Sequence, residues 1–248
     1  MKLVRLTLLS MVVLTLGPYP LFAQTQNGQE IRMHEALMAP ERSEENKSRD
    51  EGRKPIQVIQ FLGIKTGDTV VDVIAGGGWY DEVLSAAVGP VGKVYSQNPA
   101  FFTERPGFLE AEATLDKRLG NVEPVHGDLP DGIAGKADAA ITALNFHDVY
   151  NRGGEEAGVS FLKGVYDSLK PGGVFGLIDH IGVSGQDNAK LHRVPIEAAK
   201  AALLKAGFVI EAESDLLRNP QDNHTLFMRD PSLRWHTDRM LIRARKPK

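Results

Sequence analysis

Two rhythms of apolar residues alternate along this 248-residue chain. Short apolar runs of strand length fall at 68–74 (DTVVDVI), 92–98 (GKVYSQN), 121–125 (NVEPV), 137–144 (ADAAITAL), 172–179 (GGVFGLID) and 208–214 (FVIEAES). A last alternating segment closes the chain at 238–248. Between them, apolar residues recur every three or four positions at 79–88, around 107–119, at 156–170 and at 195–206, the period of a half-buried helix. Strand and helix in regular alternation predict a mostly parallel sheet covered on both faces. Connection rules leave a doubly wound α/β sheet as the simplest topology.

The N-terminal quarter breaks the rhythm. Lys2 and Arg5 precede an apolar run from Leu6 to Leu16, then Gly17-Pro18 and a short segment ending at Ala23. This is the layout of an export signal, with cleavage after Ala23. The run falls short of the roughly 20 residues a membrane-spanning helix needs. The mature chain is therefore expected outside the cytoplasm, periplasmic or secreted, with no membrane span. Residues 24–42 are polar without a period and read as a linker. Residues 43–248 form the domain, opening on a charged helix that turns apolar and is kinked or restarted at Pro55.

Composition narrows the function classes. With 42% hydrophobic and 25% charged residues the chain is globular. Losing residues 1–23 removes two positive charges and no negative one, moving the formal charge from −3 to −5. That balance, with no Lys/Arg cluster, argues against nucleic acid as a partner. The absence of cysteine excludes disulfides, thiolate metal sites and a cysteine nucleophile.

The most informative stretch is TVVDVIAGGGWYDEVLSAAVG, residues 69–89. A strand pattern runs into Gly76, Gly77 and Gly78 and then into a helix, the arrangement that lets a loop take positive φ and lie against a ligand at a helix N-terminus. The dinucleotide fingerprint G-x-G-x-x-G fails because Asp81 stands three beyond Gly78, and no Gly-Lys-Ser/Thr follows for a P-loop. A tight turn without a ligand is the remaining alternative.

VVDVIAGGGW resembles the first motif of the class I S-adenosylmethionine-dependent methyltransferases, (D/E)-x-G-x-G-x-G, with Asp72, Gly76 and Gly78 in place and Ile74 replacing the first glycine. SLKPGGVFGLID resembles that family's approach to strand five. The motifs RDEGRKP (49–55), NFHDVY (145–150), IDH (178–180), LHR (191–193) and LLRNPQDNHT (216–225) resemble a branch of predicted methyltransferases with export signals. The resemblance implies a seven-stranded sheet with an antiparallel last strand, S-adenosylmethionine as cofactor, and a small-molecule acceptor. It puts Asp72, Ala75, Gly76, Gly77, Gly78 and Asn145 on the cofactor, Asn98 on its ribose, where the family has an acid, and Asp128 on its adenine.

Candidate chemistry sits in the histidines. His147 and His180 follow strands four and five, each beside an acid, Asp148 and Asp179, and His192 comes from the next loop. A carboxylate fixes a histidine's tautomer and raises its basicity. His147 is expected as general base, with Asp179, His180, Asp148 and His192 as support. Capping of strand-end carbonyls is the alternative use. The five also offer nitrogen and oxygen to a divalent ion, but no tight spacing such as H-x-x-x-H marks one, and no metal is assigned. LLRNPQDNHT is expected to wall the acceptor pocket. Arg49, Asp50 and Arg53 read as a solvated charged face. Two other function classes fit the same residues: a non-catalytic nucleoside or small-ligand binder, and a hydrolase or isomerase using the His/Asp cluster.

Overall fold

The computed structural model describes residues 21–248, with side chains from Gly28 onward. All but the last three positions of the expected export signal lie outside the described residues. The chain begins with helix α1 (Leu21–Leu37), followed by α2 (Glu44–Lys47), α3 (Asp50–Arg53) and α4 (Pro55–Leu62). Then come β1 (Thr69–Val73), α5 (Trp79–Val88), β2 (Lys93–Asn98), α6 (Phe108–Leu119), β3 (Val122–His126) and β4 (Ala137–Ala143). The C-terminal half holds α7 (Phe146–Ser168), β5 (Leu169–Gly182), α8 (Asn188–Leu191), β6 (Val194–Pro195), α9 (Ile196–Lys205), β7 (Val209–Glu213) and β8 (Arg239–Arg245).

Seven strands form the sheet in the order β3-β2-β1-β4-β5-β8-β7, and the short β6 pairs with the end of β5. The first five run parallel, and β8 is antiparallel to both β5 and β7. This is the expected doubly wound sheet with its antiparallel last strand. Alternation along β1 divides the core. Val71 and Val73 pack with Phe175, Leu177, α7 and α9, while Val70 faces α4 and α5 with Ile59, Leu84 and Ile141. Asp72 therefore points to the α4–α5 side.

Residues 24–42, expected as a linker, are helical through Leu37 and docked on α5. Met33 is buried, and Gln29 donates through Nε2 to Ile64 O (3.0 Å) and Ala87 O (2.9 Å). Arg32 reaches the same carbonyl end of α5. Polar side chains on helix-end carbonyls hold α1, so no apolar period announces it. Arg42 closes the connection by binding Asp50 and Glu82.

The predicted helix from 43 is three short helices. Lys54 takes a left-handed conformation (φ 45°) and Pro55 restarts the chain at the first position of α4. Helix α7 begins earlier than its period suggests, at Phe146, and is broken at Gly154 (φ 71°). The added turn carries His147. No helix among the described residues is long and apolar enough to cross a membrane.

Candidate functional site

The sheet order turns back between β1 and β4, and ligands in such sheets sit beyond the strand ends at that point. The loop after β1 is tied from both neighbours. Ile74 N donates to Gln97 Oε1 (3.0 Å), and Gly76 N donates to Asn98 Oδ1 (2.8 Å). From the β4 side, Asn145 Nδ2 donates to Ile74 O (3.1 Å). Gly76 and Gly78 have φ of 60° and 75°, and a Cβ on Gly78 would come within 2.1 Å of Leu115 Cδ2. Ile74 shares that backbone region (φ 57°), although a β-branched side chain is strained there. The position that holds glycine in the family motif thus keeps a glycine's conformation here. Leu144, at the end of β4, is also left-handed (φ 64°). Backbone strain gathered at a crevice is a mark of functional sites.

A cavity of about 600 Å³ opens over this loop. Its floor is Asp72, Ile74 to Gly77 and Asn145; His180 and Thr237 form one side, and Trp79, Tyr80 and Trp235 the walls. Five arginines line it: Arg49, Arg53, Arg229, Arg234 and Arg239. Arg53 lies over the Trp79 ring at 4.5 Å, and burial, aided by Arg49 and Arg239, pushes its pKa down to about 10. Arg239 is buried, which lowers it as well, and it donates through Nη2 to Gly52 O (2.6 Å) and Trp235 O (2.9 Å). Helix α3 fits so tightly on this segment that a Cβ on Gly52 would come within 2.3 Å of Trp235 O.

The acids at the cavity do not balance these cations. Glu45 is paired with Arg49. Asp72 is buried, and burial first and Asp81 second raise it well above the usual carboxylate range. Burial also pushes Asp81 up to about 7, against the pull of the Ser96 hydroxyl, which donates to Oδ2 at 2.7 Å. Asp72 forms no salt bridge with Arg53 or Arg239, and neither guanidinium has a carboxylate within salt-bridge distance among the described residues, Asp238 acting on Arg239 only through space. A second cavity of about 470 Å³ meets the first at Gly76 and Gly77 and is lined by Gly78, Asp81, Ser96, Glu112 and Leu115.

The five candidate catalytic residues come together, but only one borders the main cavity. His180 does so, with Nδ1 held at 2.7 Å from Thr237 Oγ1. Burial drives its pKa well below the usual imidazole value, and His147, Arg239, Arg193 and Arg53 push the same way, so the ring is neutral. His147 sits one ring behind, with centroids 5.5 Å apart. Its Nδ1 lies 2.7 Å from Asp179 Oδ1, and its backbone N donates to Asp179 Oδ2 at 2.7 Å. Burial lowers His147, but the charge and hydrogen bond of Asp179, with help from Asp148, outweigh it and the net shift is upward. Asp148 and His192 lie outside this pair, with His192 Nδ1 at 3.2 Å from Asp148 Oδ1.

Of the expected cofactor residues, Asp72, Ala75, Gly76, Gly77 and Asn145 line the main cavity and Gly78 the second. Asn98 is buried and lines neither, its amide oxygen committed to Gly76 and its Nδ2 without a partner among the described residues. Asp128 is exposed and borders neither. LLRNPQDNHT does not form the wall. Asp222 is locked to Arg193 in a buried pair (2.9 and 3.1 Å), and Arg218 and His224 both bind Asp238. The wall is the following segment, Met228 to Arg239, whose Arg229, Arg234 and Arg239 stand five residues apart, matching neither a helix nor a strand period, beside Trp235. Arg53, read as a solvated charge, is half-buried and lines the cavity.

No protein-family model and no curated protein matches the chain. Solved structures do match in fold. An S-adenosylmethionine-dependent methyltransferase from Aquifex aeolicus aligns at 20% identity with a TM-score of 0.59, covering 88% of this chain and 98% of that one. The [4+2]-cyclase SpnF aligns at 17% identity and 0.59, covering 90% and 96%. A possible exported protein from Bordetella parapertussis aligns at 14% identity and 0.53, covering 89% and 80%. The chain has the class I methyltransferase fold. Function on such a fold is argued from the site.

Proposed function

We propose that this chain, built on the class I methyltransferase fold, transfers a methyl group from S-adenosylmethionine to an anionic small molecule seated among the arginines of the main cavity. The observation that carries the acceptor class is the pair Arg53 and Arg239, half-buried and buried, which line the cavity without a salt-bridge partner among the described residues. The cofactor's own carboxylate can engage one guanidinium, and the remainder of the five arginines suit a second occupant that brings negative charge.

The loop residues fit the cofactor in part. Gly77 has no atom within 4 Å of where a Cβ would sit, and Ile74 keeps the left-handed turn of the motif. Asn98 is engaged with Gly76 and Asp128 lines neither cavity, so recognition of the ribose falls to Asp81 and Glu112 in the second cavity. When bound, the cofactor supplies an electrophilic methyl. The protein's part is to orient the acceptor with Arg53 and Arg239 and to hold its proton-bearing reacting group by a hydrogen bond to Nε2 of the neutral His180, since Nδ1 is held by Thr237, the proton passing on to solvent as the methyl arrives. His147 supports His180 from behind in this scheme. The mature chain acts outside the cytoplasm, a reading supported by Lys2, Arg5, the apolar run Leu6–Leu16 and Ala23.

Incubating the chain with methyl-labelled cofactor and a panel of small carboxylates and phosphates tests the proposal. Label is expected in products of the anionic acceptors, with Arg53→Ala and Arg239→Ala each losing most of the transfer. Label passing only to neutral or cationic acceptors sinks the acceptor class. A second reading, a binder without methyl transfer, is favoured by the strained Ile74 and the committed Asn98. It predicts saturable ligand binding with no transfer to any acceptor.

A further inference from the structure

We infer that His147, Asp148 and His192 form a site for a divalent transition metal of the zinc class, outside the lining of the arginine-rich cavity, on geometry that does not rest on the methyl-transfer reading. His147 Nε2, a carboxylate oxygen of Asp148 and a ring nitrogen of His192 all lie within 4.8 Å of one another. Asp148 Oδ1 is 3.2 Å from His192 Nδ1 and 3.8 Å from His147 Nε2. A tetrahedral zinc ion with ligands at about 2.0–2.1 Å needs ligand atoms about 3.4 Å apart. The two measured edges bracket that spacing, and the third, from His147 Nε2 to a His192 ring nitrogen, lies within 4.8 Å.

His147 supplies the decisive observation. The residue is 1% exposed, and its Nε2 has no hydrogen-bond partner among the described residues. A buried ring nitrogen left without a partner is costly. Its other nitrogen is held by Asp179, itself fully buried, which also accepts the backbone N–H of His147. A hydrogen bond from Nδ1 to a carboxylate fixes the tautomer in which Nε2 carries the free lone pair. This carboxylate–histidine arrangement is the outer support that metal-bound histidines regularly have.

The ordinary alternative, a His192–Asp148 ion pair, accounts for those two residues and leaves His147 Nε2 unexplained. Arg152 also approaches Asp148, at 3.9 Å, from an exposed position that a metal need not disturb. Two imidazoles and one carboxylate select zinc and its first-row neighbours over magnesium or calcium, which prefer all-oxygen sets. Asp148 and His192 are each partly exposed, so ions can enter from solvent and a fourth position stays open to water. The His192 ring is braced by the edge of Phe227 at 5.3 Å. A bound ion would therefore tie the first turn of α7 to the loop after α8.

The test uses the full chain without a polyhistidine tag, stripped with chelator and titrated with zinc chloride by calorimetry. Cobalt chloride gives a parallel readout through the visible bands of tetrahedral Co²⁺. A single saturable site with those bands is expected. His192→Ala and Asp148→Asn, both at partly exposed positions, should each weaken it by at least about tenfold, the low end of what outer-shell changes alone cost. His126→Ala and His224→Ala should leave it unchanged. No binding, or binding that survives both His192→Ala and Asp148→Asn, overturns the site. Cofactor binding measured on the same stripped chain reports separately on the methyltransferase reading.

Discussion

His180 and Arg239 are direct partners across the antiparallel β5–β8 ladder, and both line the main cavity. One strand pair thus delivers the neutral imidazole and a buried cation to the same wall. The sequence distance between them is bridged by the antiparallel insertion of β8, the feature that sets the last strand of this fold apart.

Arg53 also lines that cavity and makes no ion pair among the described residues, so its truncation should cost binding and spare the fold. The chain has two tryptophans, Trp79 and Trp235, and both line the cavity. Intrinsic fluorescence therefore reports occupancy directly. Titration with small dicarboxylates should change the emission of the wild type. Arg53→Ala should weaken the anions that bind by about tenfold or more, the worth of one charge-assisted hydrogen bond. Equal affinities in the two proteins would remove Arg53 from the anion site.

Asp179 is the structural anchor behind His180. Replacing it with Ala strands two buried donors of His147, and a loss of about 2–4 kcal/mol is expected. Denaturant unfolding followed by circular dichroism measures it. A change under about 0.5 kcal/mol, the range of an ordinary surface substitution, would mean that the pair is not formed.

Ile74 offers a test of backbone strain. At φ 57° a glycine is at ease, whereas alanine keeps the penalty of about 1–2 kcal/mol and loses the same packing as glycine does. Ile74→Gly should therefore be more stable than Ile74→Ala, the reverse of the usual order. Thermal unfolding of the two variants decides the matter, and the usual order would refute the strained turn.

The Asp72–Asp81 pair makes stability depend on pH in an uncommon direction. Both carboxyls are raised in the folded protein, Asp81 to about 7. The folded state then binds more protons than the unfolded one between about pH 4, the unfolded value, and pH 7. This contribution is complete at the acidic end and lost as pH rises through the window. Asp81→Asn removes part of it, so the variant should compare more favourably with wild type at pH 8 than at pH 5. Melting temperatures that shift in parallel at both pH values would show that the pair is ionised throughout.

Much of the fold was legible because its signals are local. Strand runs and helix periods placed β1, α5, β2, α6, β4 and α9 within a residue or two, and the motif at 72–78 marked the ligand loop. What escaped was held by polar long-range contacts. Gln29 and Arg32 dock α1 through carbonyls of residues some 35 or more positions away, which no periodicity encodes. The acceptor wall was assigned to LLRNPQDNHT because loop length and polar residues suggested it. Those residues instead spend their charges on Arg193 and Asp238, leaving the wall to the arginines that follow. The histidine cluster was found from strand-end positions alone. Which ring faces the cavity depended on the early start of α7, hidden by the Gly153-Gly154 break.

The most direct test of the central claim is titration of the tag-free chain with S-adenosylhomocysteine, by calorimetry and by the fluorescence of Trp79 and Trp235. The account predicts saturable binding seen by both methods, weakened when Gly77→Val fills the open space over the loop. No heat and no change in emission up to millimolar ligand would contradict it, and the glycine loop would then be a methyltransferase turn that no longer serves its cofactor.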